Sequence, residues 1–155
     1  MGDYAGYSTS DHGNDGRLTA AINTELPLLK NTALDNSTND TVTATSLTAT
    51  TGSVSVTLAA DEMLLADWSA NISHETDGQW VGVALYIAGS QRGPEQFATA
   101  ADSSAGGLKC SVGGSFSYEP ASAGAVTVQL YARVASGSGH VGRKYCRLII
   151  AKRRS

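Results

Sequence analysis

Apolar and polar residues alternate with a period of two through most of the chain from Thr41 to Lys152. Val54, Val56 and Leu58 alternate with Ser and Thr, a pattern that puts one set of side chains on each face of a half-buried strand. Between Met63 and Ser73, Leu65, Trp68, Ala70 and Ile72 keep the pattern with one break, which a bulge accounts for. Val81, Val83, Leu85 and Ile87 alternate with Gly82, Ala84, Tyr86 and Ala88, so the small-residue face of that strand is expected to be covered too. Leu108–Tyr118 carries Cys110, Val112, Phe116 and Tyr118, with Gly113-Gly114 as a kink. Val126, Val128, Leu130, Ala132 and Val134 alternate with Thr127, Gln129, Tyr131 and Arg133, and Val141–Lys152 closes the series. A Thr-rich stretch at Thr41–Thr48 and a weaker one at Phe97–Ala101 bring the count to eight strands. Turn clusters such as Thr76-Asp77-Gly78 and Ser136-Gly137-Ser138-Gly139 separate them. Short strands with no helices between them predict an all-β fold, and eight suit an antiparallel jelly-roll sandwich.

The first forty residues follow a different rule. Residues 1–16 are rich in Gly, Asp, Ser and Tyr without periodicity and read as an arm. From Arg17 to Leu29 the apolar positions Leu18, Ala21, Ile22, Leu26 and Leu29 have helical spacing, with Asn14 or Asp15 as N-cap. Pro27 limits this helix to about two turns, too short to persist without a surface to lie against. Residues 31–40 read as a polar linker. The expected organisation is an N-terminal arm with short helix and linker over 1–40, then a jelly-roll domain over 41–155.

Composition narrows the function classes. Ala, Gly, Ser and Thr fill 72 of 155 positions, and charged residues are only 16%. No apolar run reaches the roughly 18 residues needed to span a bilayer, so no membrane partner is expected. The N-terminus shows neither the basic nor the apolar region of a secretory signal, and synthesis in a host cytoplasm with Cys110 and Cys146 reduced is the expectation. Charge is lopsided: 14 acidic and 4 basic residues precede Pro120, whereas 7 basic and no acidic residues follow. Arg143, Lys144, Tyr145 and Arg147 hint at a basic strip with an aromatic residue, but an acidic remainder would repel phosphate, so no nucleic-acid partner is expected.

Catalytic templates fail one after another. Gly137-Ser138-Gly139-His140-Val141-Gly142 fits G-x-G-x-x-G but leads into a strand, where a dinucleotide site needs a helix N-terminus. His74-Glu75 lacks the second histidine of a zinc protease, because position 78 is Gly. The Asp11–Gly16 stretch starts like a calcium loop, yet Ile22 stands where the bidentate Glu belongs. A Ser/His/Asp site assembled in space stays open, but with 18 serines a coincidental candidate carries little information. Asp67, beside Trp68, is read as an outward acid. The expectation is no enzyme, no cofactor and no metal.

The order of textures from Val54 onward is the most specific signal. It runs Val-Ser-Val-Thr-Leu, then Met63–Ala70, a Gly turn, Val81–Gly89, a variable middle, Ala123–Arg133, a Gly/Ser loop and Arg147–Ala151. This resembles the tumour-necrosis-factor-like jelly roll of phage virion proteins, including head decoration (cement) proteins and fibre tips. The resemblance implies a homotrimer and a non-enzymatic role on the outer capsid surface of a virion, bound to the major capsid protein lattice. On that reading Leu18, Ile22, Leu26, Leu28 and Leu29 are the apolar interface anchors, and Arg143, Lys144 and Arg147 form a polar contact strip. The alternative is a tail-fibre or tail-tip receptor-binding domain for a cell-surface glycan, with Tyr86, Tyr118, Tyr131, Trp68 and Trp80 as stacking platforms.

Overall fold

The computed structural model describes residues 30–99 and 110–153. Nine strands run in chain order: β1 (Lys30–Asn36), β2 (Asp40–Val42), β3 (Thr48–Leu58), β4 (Glu62–His74), β5 (Trp80–Ile87), β6 (Ser90–Thr99), β7 (Cys110–Tyr118), β8 (Gly124–Val134) and β9 (Gly139–Lys152). One sheet has the order β1-β9-β4-β7, and the other β3-β8-β5-β6. Every pairing is antiparallel. β1 lies along Lys144–Ile150 of β9, and β2 continues the same edge along Gly139–Val141. They therefore fill one interrupted strand position. Eight positions in two four-membered sheets, the first beside the last, make the fold a jelly-roll sandwich.

Two sequence-based boundaries are corrected. The stretch 31–40, expected as a linker, contains nearly all of β1 and the first residue of β2. Ladder hydrogen bonds join backbone groups, so an edge strand forms without an apolar row where a long partner such as β9 offers its free side. Thr41–Thr48 is not one strand; β2 stops at Val42 and β3 begins at Thr48. The weak candidate at Phe97–Ala101 is the end of the longer β6. The helix expected over 17–29, with Leu18, Ile22, Leu26, Leu28 and Leu29, lies outside the described residues.

The core is the set of inward rows that the alternation marks. Leu64, Ala66, Trp68, Ala70 and Ile72 of β4 and Cys146, Leu148 and Ile150 of β9 face Val81, Val83, Leu85 and Ile87 of β5. Val126, Val128, Leu130, Ala132 and Val134 of β8 complete it. Each buried Val, Leu or Ile contributes about 1.5–3 kcal/mol relative to an exposed one. The break expected between Leu65 and Trp68 is not a bulge: Leu64, Ala66, Trp68, Ala70 and Ile72 alternate inward without interruption and Leu65 faces outward. The register slips further along, where Ser69 pairs with Tyr145 but Asn71 with Gly142. The extra residue belongs to β9, and Arg143 there takes a left-handed conformation (φ 46°).

Both cysteines are free thiols. Burial, with the nearby Asp67 carboxylate adding to it, pushes the Cys146 thiol up to about 12. An unfolded thiol ionises near 9.0, so this contribution to stability is complete below that pH and is lost as pH rises towards 12. Thiol titration of the native protein at pH 8 should count one fast-reacting group, Cys110, and a second only after denaturant is added. Two fast-reacting groups in the native protein would contradict the burial of Cys146.

Candidate functional site

The outer face of the β1-β9-β4-β7 sheet is built from the positions alternate to the core. Across it, Ser117, Leu65 and Ile149 form one row; Ser115, Asp67 and Arg147 the next; Gly113, Ser69 and Tyr145 a third. Leu65 is 37% and Tyr145 42% exposed, and the β7 positions across from them are only Ser117, Ser115 and Gly113. A shallow groove of about 250 Å³ runs between Leu65, Asp67, Ser115, Phe116, Ser117 and Ile149. Asp67 is outward, as the alternation indicated, with Arg147 opposite it.

Lys144 is not on this face. It is fully buried, because the extra residue at Gly142–Arg143 resets the alternation and Lys144 joins the inward row of Cys146, Leu148 and Ile150. Its ammonium donates to Asp40 Oδ2 and, at 2.9 Å, to the Thr51 hydroxyl. The Thr51 backbone N–H donates to the same Asp40 oxygen at 3.0 Å. Thr51 belongs to the irregular part of β3, where the register slips between Ala49 and Ser53 and Gly52 has φ 84°. Two backbone irregularities, one in β9 and one in β3, thus meet at one ion pair that ties β2 and β9 to β3 across the sandwich. The polar strip expected from Arg143, Lys144 and Arg147 reduces to Arg143 and Arg147, both exposed.

On the outer face of the other sheet, Tyr86 and Tyr131 stack at 3.8 Å and 17°. Next to them, Trp80 meets Phe97 edge-on at 5.0 Å, and the Arg133 guanidinium lies over both rings. Glu95 grips Arg133 through both carboxylate oxygens, which holds the guanidinium more firmly protonated than usual. β6 carries two extra residues between the partners of Val83 and Leu85, with Gly93 at φ 75°, and this bulge brings Glu95 over Gly82. The small-residue face of β5 is covered as expected, with Ala84 fully buried. Of the five expected stacking platforms, Trp68 is in the core, Tyr118 lies under Arg92, Trp80 is taken up by Phe97 and Arg133, and the two tyrosines use each other.

A cavity of about 100 Å³ lies at the margin where β6 meets β7, lined by Trp68, Arg92, Gly93, Pro94, Gln96, Gly114, Ser115 and Phe116. Arg92 stands opposite Leu85, and its guanidinium is 4.9 Å from the centre of the Tyr118 ring. Its Nε is buried with no hydrogen-bond partner among the described residues. Sequence reasoning passed over Arg92 because it lies on no periodic row. The Gly93-Pro94 pair inside a strand was the available signal for a bulge.

The histidines are placed as follows. His74 is fully buried, with Nε2 donating to the Ser136 carbonyl at 2.7 Å and Nδ1 accepting from the Thr76 N–H at 2.9 Å. His140 pairs with the exposed Glu75 at 3.2 Å, with the Thr41 hydroxyl at 3.5 Å. Neither cavity includes these residues. Among the described residues no three His, Cys, Asp or Glu side chains are grouped to hold a metal ion, and no helix is long and apolar enough to cross a membrane.

No family model matches the chain, and no curated protein matches it in sequence. Among solved structures it is similar to dimeric latent PorU from Porphyromonas gingivalis, at 7% identity and TM-score 0.48 over 83% of this chain and 13% of that one. It is similar to VP2 of infectious bursal disease virus at 12% identity and TM-score 0.37, over 83% of this chain and 36% of that one. The C-terminal CBM6 of LamC, a marine laminarinase from Zobellia galactanivorans, is similar at 14% identity and TM-score 0.33, over 77% of this chain and 99% of that domain. The chain thus spans only a small part of the length of the first two.

Proposed function

We propose that this protein is a non-enzymatic structural component of a virion, a decoration protein whose jelly roll forms a homotrimeric knob on the outer surface of a capsid shell. The observation that carries the reading is the outer face of β9, β4 and β7, where exposed Leu65 and Tyr145 stand beside Ser69 and the Ser and Gly positions of β7. Small side chains let a second copy approach closely, and the apolar pair supplies area to bury. Three strands about 4.8 Å apart and some nine residues long give a face of roughly 430 Å², about half of the roughly 800 Å² each partner contributes to a standard interface. The Asp67–Arg147 row adds opposite charges that a neighbouring copy can share.

Attachment to the shell is assigned to the segment before Lys30, with Leu18, Ile22, Leu26, Leu28 and Leu29 as anchors and exposed Arg143 and Arg147 as polar contacts. From Lys30 onward the leading segment is part of the subunit's own sheet, so fastening falls to residues 1–29. Binding only the assembled lattice stabilises it by mass action, and three linked arms raise avidity without strong single contacts.

The test combines light scattering with particle labelling. The full chain should elute as a trimer, and Leu65→Lys should yield a folded monomer. Removal of residues 1–29 should leave the trimer intact and reduce occupancy on purified heads at least tenfold. A monomeric full chain, or antibody labelling confined to tails, would overturn the reading. A second reading, a tail-tip domain that takes a cell-surface glycan, draws support from the cavity beside Arg92.

A further inference from the structure

We propose that the cavity between β6 and β7 binds the carboxylate of an acidic sugar. The inference is independent of attachment to a shell, since a decoration protein and a tip protein can both carry such a site. Arg92 provides the first reason. Its guanidinium forms no ion pair with a carboxylate among the described residues, and its Nε–H is buried without an acceptor. A buried donor left unsatisfied costs about 1–3 kcal/mol, so it marks a place where an acceptor belongs. Contact with the Tyr118 ring at 4.9 Å holds the guanidinium in place at the cavity wall. A planar fork held in this way matches a carboxylate, which accepts two parallel N–H bonds.

The rest of the lining selects a sugar acid over a bare anion. Phe116 and Pro94 offer apolar surface to the C–H groups next to the carboxylate, while Gln96 offers an amide to a sugar hydroxyl. A volume of about 100 Å³ takes the carboxylate and the adjoining carbons, leaving the remainder of a glycan outside. Gly114 keeps the space open: a Cβ there would lie 3.4 Å from Trp68 Nε1, ordinary contact for the fold but inside the space a ligand would occupy.

The experiment titrates the full chain with sodium glucuronate, glucose, acetate and a short peptide with a free C-terminus at equal ionic strength, following the Trp68 indole N–H resonance. Glucuronate should saturate, with glucose and acetate each at least tenfold weaker and the peptide no better than acetate. Arg92→Gln should weaken glucuronate binding tenfold or more, and Arg92→Lys should not restore it, because a point charge lacks the fork. Gly114→Ala, which leaves Arg92 and the fold in place, should also weaken it at least fivefold. Absence of saturation, equal binding of acetate or peptide, or unchanged binding by Gly114→Ala with Arg92→Gln folded would each overturn the proposal.

Discussion

Lys144→Ala should destabilise the protein by about 3–5 kcal/mol in urea denaturation, a cost appropriate to removing one partner of a buried ion pair. Lys144 is fully buried and the Asp40 side chain only 12% exposed, so neither charge has free access to water. Truncating the lysine leaves Asp40 with the neutral Thr51 N–H in place of an ammonium and opens a void beside the bulge. Asp40→Ala should cost at least as much, since it strands the more deeply buried charge. The double substitution Lys144→Met with Asp40→Leu should recover most of the loss, because a buried pair is often replaced by apolar groups at little cost. A Lys144→Ala variant within about 0.5 kcal/mol of the parent would behave as a surface substitution does and would contradict the inward position.

Gly113→Ala and Gly114→Ala, one position apart, should separate clearly. A Cβ on Gly113 would lie 2.5 Å from the Trp68 backbone carbonyl oxygen and 3.3 Å from Ser69 Cα. Gly113 pairs with Ser69, so the clash is with the neighbouring strand's backbone and no rotamer relieves it. β7 would have to leave β4 locally, at a cost of about 1–3 kcal/mol typical of overpacking and a Tm lower by roughly 3–10 °C. Gly114→Ala meets only the Trp68 ring at 3.4 Å and should stay within about 0.5 kcal/mol of the parent. Equal melting temperatures for the two variants would show that β7 does not approach β4 this closely.

The Lys144 result illustrates how far the chain could be read. Cys146, Leu148 and Ile150 mark the even positions of β9 as inward, so parity alone points Lys144 inward and Arg143 and Arg147 outward. Charge argued for the surface, and charge was the wrong guide, because Asp40, 104 residues away, supplies the counterion. The stretch 31–40 was illegible for a different reason. Its strand is specified by the free edge of β9, and nothing in its own pattern announces that edge. The Arg92 cavity takes residues from β4, β6 and β7, and no local spacing connects Trp68, Arg92 and Gly114.

The amino-acid sequence by itself determined the all-β class and the inward rows of the strongly alternating strands β5 and β8, since a period of two is a local property of the backbone and of each residue's own polarity. Only the tertiary structure decided that β1 and β2 share one edge of β9, where the bulges fall, that Lys144 bolts the two sheets together, and that a guanidinium with no carboxylate partner among the described residues lines a cavity. Those features depend on which strands become neighbours, and strand pairing is made between backbone groups far apart in the chain.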